Sequence, residues 1–290
     1  MGIHGFQSFY GCLYETIPLS QIKGKYLILD TNLYIYKYAI GIRKSGKDIL
    51  TQDGQITTHI YALKKLIMNF IDLNCFPFCI FDGKAPDIKD KTVEKRIERK
   101  ISALQKCEQL LEKIKNDDLD NPDDFDDTDN LDSSDDDTYD EVEHKDIKNE
   151  YIKNFKKSFS FNISMISQCK EFLDLAGIPY FTAVGEADSQ CVAINHYYKN
   201  VCAGIYSEDS DPILFGADNL YKDLDLKKKT IKVLRYKNII SFLQQKCENI
   251  CKKYNLKSIE ITRDIFIDFS IIMGNDYCTG IRISGCNNKD

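Results

Sequence analysis

The chain has 290 residues, 43% of them apolar and 29% charged, enough to bury a sizeable core and too mixed for an unfolded or membrane-bundle protein. No run reaches the roughly eighteen apolar residues of a membrane span, and MGIHGFQSFYG lacks the basic and apolar regions of a signal peptide, so an intracellular, membrane-free protein is expected, nuclear or cytoplasmic. Eleven cysteines without a CxxC pair fit reduced thiols, four scattered histidines offer no zinc set, and the net charge of −6 hides a division described below.

In chain order, KYLILD (25–30) is a short apolar run that predicts a buried strand, and TNLYIYKYAIGIRKSG (31–46) a helix ending near Gly46. ITTHIYALKKLIMNFIDLN (56–74) repeats apolar residues at Ile60, Leu63, Ile67 and Phe70, a helical spacing. CFPFCIFD (75–82) predicts a second strand, entered at Pro77. In KAPDIKDKTVEKRIERK, Lys89, Arg96 and Lys100 recur at seven and four residues, which predicts one basic helix face, with Val93, Ile97, Ile101 and Leu104 on an apolar one.

Residues 116–146 hold sixteen acidic residues against one lysine, so they carry −15 and leave the remainder at +9. Few aliphatic residues and no period predict a disordered insertion, spanning about 106–160. The basic remainder suits a polyanionic partner.

Beyond the tract, ISMISQCKEFLDLAGI (163–178) predicts a helix stopped at Gly177, PYFTAV (179–184) a strand, and DSQCVAINHYYKN (188–200) a helix. VCAGIYS (201–207) predicts another strand and FIDFSIIMG (266–274) a helix stopped by Gly274. Strands alternating with helices predict an α/β domain with a mostly parallel sheet.

The acidic residues fall at telling places on that scaffold. Asp30 ends one predicted strand, Asp82 the next, and Asp209 and Asp211 follow a third, so three strands deliver carboxylates to the edge where parallel sheets bind ligands. Asp209 and Asp211 share a side if the extended chain continues. Glu186 and Asp188 join them if Glu186 lies at a helix start, and Asp276 if its loop folds back. Carboxylates so concentrated need a counter-charge, and hard divalent cations, Mg²⁺ or Mn²⁺, are the natural one. Two such ions suit in-line phosphodiester hydrolysis.

Six ordered segments, MGIHGF, LILDTNLYIY, PFCIFDGKAPDIKDKTVEKRIERK, GIPYFTAVGEADSQC, YSEDSDPILFG and IDFSIIMGNDYC, resemble the flap endonuclease and XPG family of structure-specific 5′ nucleases. The resemblance implies a PIN-like α/β domain carrying a helical arch, with the N-terminal nuclease region at 1–105 and the internal one at 161–285. It implies metal ligation by Asp30, Asp82, Glu186, Asp188, Asp209, Asp211 and Asp276, with Asp188 standing where the family commonly has Glu. Lys89 and Arg96 take the positions that contact the scissile phosphate. Tyr36 takes that of an aromatic stacked on a nucleobase, and Arg43, Lys100 and Gly2 those of further nucleic-acid contacts.

The implied activity is two-metal hydrolysis of DNA at a 5′ end or flap by a monomer, in replication or repair. An RNA-directed 5′ nuclease and a weakly catalytic nucleic-acid or partner binder stay open as alternatives. The sequence after Asp276 reads YCTGIRISGCNNKD, which departs from the family's duplex-gripping helix, two-turn, helix element, and no sliding-clamp peptide is recognisable.

Overall fold

The computed structural model describes residues 3, 5–84, 86, 89–116, 139–278, 280 and 281. They form two compact units interleaved along the chain, the first from 1–31, 68–89 and 178–290, the second from 32–67 and 90–177. No helix among the described residues is long and apolar enough to cross a membrane.

The first unit is built on a sheet. Its elements in chain order begin with α1 (Phe6–Tyr10), β1 (Glu15–Pro18) and β2 (Tyr26–Asp30), which leads straight into α2 (Thr31–Ile42). They continue with the end of α3 (Thr58–Ile71) and with β3 (Phe76–Phe81). After the helices α4 (Asp90–Asn116), α5 (Tyr139–Ser158) and α6 (Ile163–Ala176) come β4 (Tyr180–Thr182), α7 (Ala187–Tyr197), β5 (Cys202–Tyr206) and α8 (Asp211–Phe215). The chain closes with β6 (Asn219–Asp225), β7 (Thr230–Arg235), α9 (Tyr236–Tyr254) and α10 (Arg263–Met273).

The strand order is β1-β7-β6-β5-β2-β3-β4. The five strands from β6 to β4 pair in parallel, and β7 and β1 add an antiparallel margin. The chain builds outward from β2 through β3 to β4, then returns to the other flank of β2 with β5 and β6. The crevice where that direction reverses, beyond the carboxyl ends of β2 and β5, is where doubly wound sheets bind ligands. β2 reads as an unbroken apolar run because Leu27, Ile28 and Leu29 are all buried, as expected of a central parallel strand covered on both faces. The core joins Ile28, Ile80, Ile205 and Leu220 of the sheet to Cys191 and Val192 of α7 and Phe266 of α10.

The predicted strands and helices all form, with small differences at their ends. α10 starts where the Thr262 hydroxyl accepts from the Ile265 N–H. The hairpin of β6 and β7 went unread in the sequence: KDLDLKKKTIK is charged, and its strands are held by antiparallel pairing and by buried Leu220, Ile231 and Val233.

The second unit is helical. α6 starts where the Asn162 side chain accepts from the Met165 N–H at 2.9 Å, and it ends at Gly177, whose φ of 66° suits a residue without a Cβ. Three expectations change here. α4 begins at Asp90, so Lys89 precedes the helix and shares no face with Arg96 and Lys100, which remain four residues apart on it. The buried stripe of α4 is Ala103, Cys107, Leu110 and Ile114, packed in its latter half against Tyr151, Ile147 and Phe155 of α5. The predicted apolar stripe lies elsewhere, with Ile97, Ile101 and Leu104 about half exposed.

The expected insertion over 106–160 is ordered at both ends, as α4 to Asn116 and as α5 from Tyr139. The polar composition hid α5 because its apolar residues, Ile147, Tyr151, Ile152 and Phe155, are few against its charged ones. The middle of the acidic tract, 117–138, and Gly2 lie outside the described residues.

Candidate metal centre

Register decides how the first carboxylates meet. Leu29 of β2 pairs with Tyr206 of β5, which brings Asp30 level with Ser207, and the Ser207 hydroxyl donates to Asp30 Oδ2 at 3.0 Å. Asp30 also pairs with Ile80 of β3, so Asp82 lies two residues further along, just past that strand. Asp82 Oδ1 accepts the N–H of Ala187, the first residue of α7, at 2.8 Å.

Glu186 is the N-cap residue of α7 and Asp188 lies in its first turn, as expected, where the unpaired N–H groups of a helix favour negative charge. Gly83 makes this approach possible. Its N–H donates to Gly185 O at 2.7 Å, and a Cβ there would lie 2.0 Å from Ala183 O, so only glycine fits between Asp82 and the segment that carries Glu186.

After β5 the chain does not stay extended. Ser210 is in the right-handed helical region and Asp211 opens α8 with Pro212 in its first turn, so the two-residue alternation predicted for Asp209 and Asp211 is replaced by a tight turn. The Asp209 N–H donates to the Ser207 hydroxyl, and Asp209 Oδ1 accepts from the Ser210 N–H at 2.7 Å. The turn nonetheless brings the acids together: Asp188, Asp209 and Asp211 each offer an oxygen, all within 4.8 Å of one another.

Electrostatics mark the cluster as short of positive charge. Burial, followed by the charges of Asp30, Asp209, Asp211 and Asp82, holds the Asp188 carboxyl well above its ordinary range. Burial also raises Asp209, against the pull of the backbone N–H groups of Asp211 and Ser210. Asp211 is pushed up to about 7 by burial and then by Asp209, with Lys89 opposing and Asp276 and Glu186 adding to the rise. Asp276, on the loop after α10, thus acts on the same cluster, as its predicted fold-back required.

Asp188 Oδ1 and Asp211 Oδ1 are buried without a hydrogen-bond partner. Bare buried carboxylate oxygens beside further acids fit a hard divalent cation, and the neighbouring Cys191 thiol is held well above its ordinary range by burial and then by Asp30, Asp188 and Asp82.

Two side chains of the centre went unread. Tyr277, next to Asp276, donates its hydroxyl to Glu186 Oε2, and Ser207 ties Asp30 to Asp209. Neither is acidic, so neither carries a metal-ligand signal in the sequence. Lys89 is buried with its ammonium 2.7 Å from Glu186 Oε1, so it belongs to this centre and not to the exposed face of α4.

Tyr36, Arg43, Arg96 and Lys100 lie in the second unit. Tyr36 is half-buried, its ring 5.7 Å from that of Phe159, with Lys100 Nζ 5.6 Å above it. Burial and then the Arg96 charge lower the Lys100 pKa. Arg43, expected on phosphate, is turned inward. It donates to Phe155 O at 2.6 Å, pairs with Asp48 at 3.1 Å and lies 3.6 Å over the Phe155 ring. α5, invisible in the sequence, supplies that inward partner.

Residues 1–103 match the XPG N-terminal domain and residues 177–276 the XPG I-region, together more than half of the chain. The chain belongs to the flap endonuclease/XPG family. Among its relatives in that family, the flap endonuclease 1 of Glycine max is 26% identical over 97% of this chain and 63% of its own length. That of Theileria parva is 27% identical over 96% of this chain and 48% of its own. The chain thus spans about half to two thirds of the length of these curated relatives.

Solved structures of family members share the fold. The catalytic core of Rad2 in complex with DNA substrate superposes with a TM-score of 0.61 at 21% identity, over 99% of this chain and 66% of that one. The flap endonuclease-1 of Methanococcus jannaschii gives 0.56 at 22%, over 97% and 74%.

Proposed function

We propose that this flap endonuclease/XPG family member is a metal-dependent nuclease that hydrolyses DNA phosphodiesters at or near a 5′ end or flap, leaving a 5′-phosphate. The observation that carries the reading is the meeting of Asp188, Asp209 and Asp211 within 4.8 Å, with two buried carboxylate oxygens lacking partners. Asp30, Asp82, Glu186 and Asp276 complete the set that would hold two ions, Mg²⁺ or Mn²⁺. When bound, such ions activate water for attack and offset the charge of the phosphate.

The chain's own residues supply the rest. The hydrogen bonds from Ser207 and the Ala187 N–H fix Asp30 and Asp82, so the ligand oxygens are held before ions or substrate arrive. Lys89 and Arg96 neutralise negative charge that grows on the transferring phosphate. Tyr36 offers a ring for a nucleobase, a contact worth about 1–3 kcal/mol that tolerates any base. Lys100 adds positive charge beside that ring. The protein acts as a monomer in this reading.

The deciding assay follows a labelled 5′-flap DNA, with a matched RNA flap beside it, in Mg²⁺, Mn²⁺ or EDTA. Ion-dependent release of the flap from DNA, lost in Asp211→Ala while binding persists, is the expected result. Faster cleavage of the RNA flap would favour the RNA-directed alternative, and ion-independent cleavage, or full activity in Asp211→Ala, would defeat the site assignment.

A further inference from the structure

Glu186 differs from its neighbours in the centre. Whereas Asp188 Oδ1 and Asp211 Oδ1 are bare, both oxygens of Glu186 are engaged. Oε1 takes the Lys89 ammonium at 2.7 Å and Oε2 accepts the Tyr277 hydroxyl. Lys89 Nζ also lies 4.1 Å from the centre of the Tyr277 ring, so the tyrosine holds the carboxylate with its hydroxyl and the ammonium with its face. A buried lysine paired with one of these carboxylates, and acting on Asp211 as well, places positive charge inside the acidic pocket.

Lysine is also suited to leave. Its ammonium is a point charge on a flexible four-carbon stem, without the paired geometry that locks an arginine to a carboxylate. A divalent ion carries twice its charge into the same acidic pocket.

We infer that Lys89 is the resident counter-ion of the centre and competes with divalent cations for Glu186, so that ion loading and release of the Lys89 ammonium are one exchange. Tyr277 is the positioning residue that keeps Glu186 in place while its other oxygen changes partner. The inference rests on the reading of the carboxylates as an ion site, and it makes the phosphate-directed lysine free only when the centre is loaded. An unloaded enzyme then holds nucleic acid without offering this cation to the scissile phosphate.

The test is Mn²⁺ binding to nucleic-acid-free protein, followed by the electron paramagnetic resonance of free Mn²⁺. Lys89→Met should tighten binding about tenfold, while Lys84→Met, which removes a nearby exposed ammonium, changes it less than about twofold. In a Glu186→Gln background the gain from Lys89→Met should fall below about twofold, because the partner it competes for is gone. Tyr277→Phe, which keeps the ring and removes the hydroxyl, should weaken binding severalfold at unchanged melting temperature.

A gain at Lys89 no larger than at Lys84, or one that persists in full without Glu186, overturns the competition. Equal or tighter binding in Tyr277→Phe overturns the positioning role. In unmutated protein, acylation of Lys89 by an amine-reactive ester should rise severalfold when Mg²⁺ is added, and unchanged labelling also refutes the exchange. Wild-type protein that binds no Mn²⁺ would defeat the nuclease reading itself, whereas binding without coupling to Lys89 defeats only this inference.

Discussion

Asp82 Oδ1 accepts the backbone N–H of Ala187 at 2.8 Å, so the carboxylate that ends β3 also fixes where α7 begins. One bond thereby couples the first half of the chain to the position of Glu186 and Asp188, over a hundred residues away. Gly83 permits it, because a Cβ at that position would meet Ala183 O at 2.0 Å. Gly83→Ala should therefore lower stability by about 2–3 kcal/mol and weaken Mn²⁺ binding at least tenfold. Thermal melting and Mn²⁺ titration report the two effects, and normal ion affinity in a destabilised variant would show that this approach does not set the ligands.

Asp188 is surrounded by other acids, and its Oδ1 has no partner. Asp188→Asn removes a buried charge at nearly constant shape, so without ions the variant should melt a few degrees above wild type. With saturating Mg²⁺ the order should reverse, since the variant loses a ligand. Melting curves in EDTA and in Mg²⁺ check both signs, and a variant less stable in EDTA would mean that repulsion at Asp188 is already relieved.

The raised carboxylates also fix a pH dependence. Asp211 titrates at about 7 in the folded protein against an ordinary 3.8, so between those values the folded state holds a proton that the unfolded chain has lost. The stabilisation this brings is present at low pH and disappears as the pH rises through about 7. Ion-free protein should thus lose melting temperature, relative to Asp211→Asn, between about pH 4 and pH 7, and Mg²⁺ should flatten the trend.

His59 gives the opposite slope in the second unit. It is fully buried, with Nε2 2.7 Å from Gln168 Oε1, and burial lowers its pKa from the ordinary 6.5, against a smaller rise from Gln168. The unfolded chain gains a proton near pH 6.5 that the folded state resists, so this stability is present above that pH and is lost as the pH falls below it. The stability difference between wild type and His59→Gln, from urea midpoints, should shrink steadily from about pH 7.5 to pH 5.5. A constant difference would mean that His59 accepts its proton in place.

Arg43 and the exposed face of α4 separate structure from binding. Arg43→Ala leaves the partly buried Asp48 with only the Thr58 hydroxyl and should cost about 2–4 kcal/mol, without altering the salt dependence of nucleic-acid binding. Arg96→Ala should scarcely affect stability but should reduce the slope of log affinity against log salt by about one. Equal salt slopes in wild type and Arg96→Ala would remove Arg96 from the binding surface.

Much of the centre was legible because carboxylates at strand ends and at a helix start are local features. KYLILD and CFPFCIFD announce strands by their apolar runs, and the acids at their ends stand where a parallel sheet exposes its ligand edge. Less legible were residues whose meaning depends on a distant partner. Lys89 has the same spacing signal as Arg96, yet one precedes α4 against Glu186 and the other lies on the helix. Arg43 reads as a phosphate contact until α5 places Phe155 beneath it.

Local chemistry was already present in the amino-acid order: which residues are acidic, that they follow apolar strands, and that no imidazole or thiolate spacing suits a metal. Which of those charges face one another depends on the closed fold. The pairing of Leu29 with Tyr206 sets Asp30 beside Ser207, and the bond from Ala187 to Asp82 sets Glu186 within reach of Lys89 and Tyr277. Charge and apolarity belong to a residue and can be read one position at a time. Proximity belongs to pairs, and sheet register and helix starts fix it only after the chain has closed on itself.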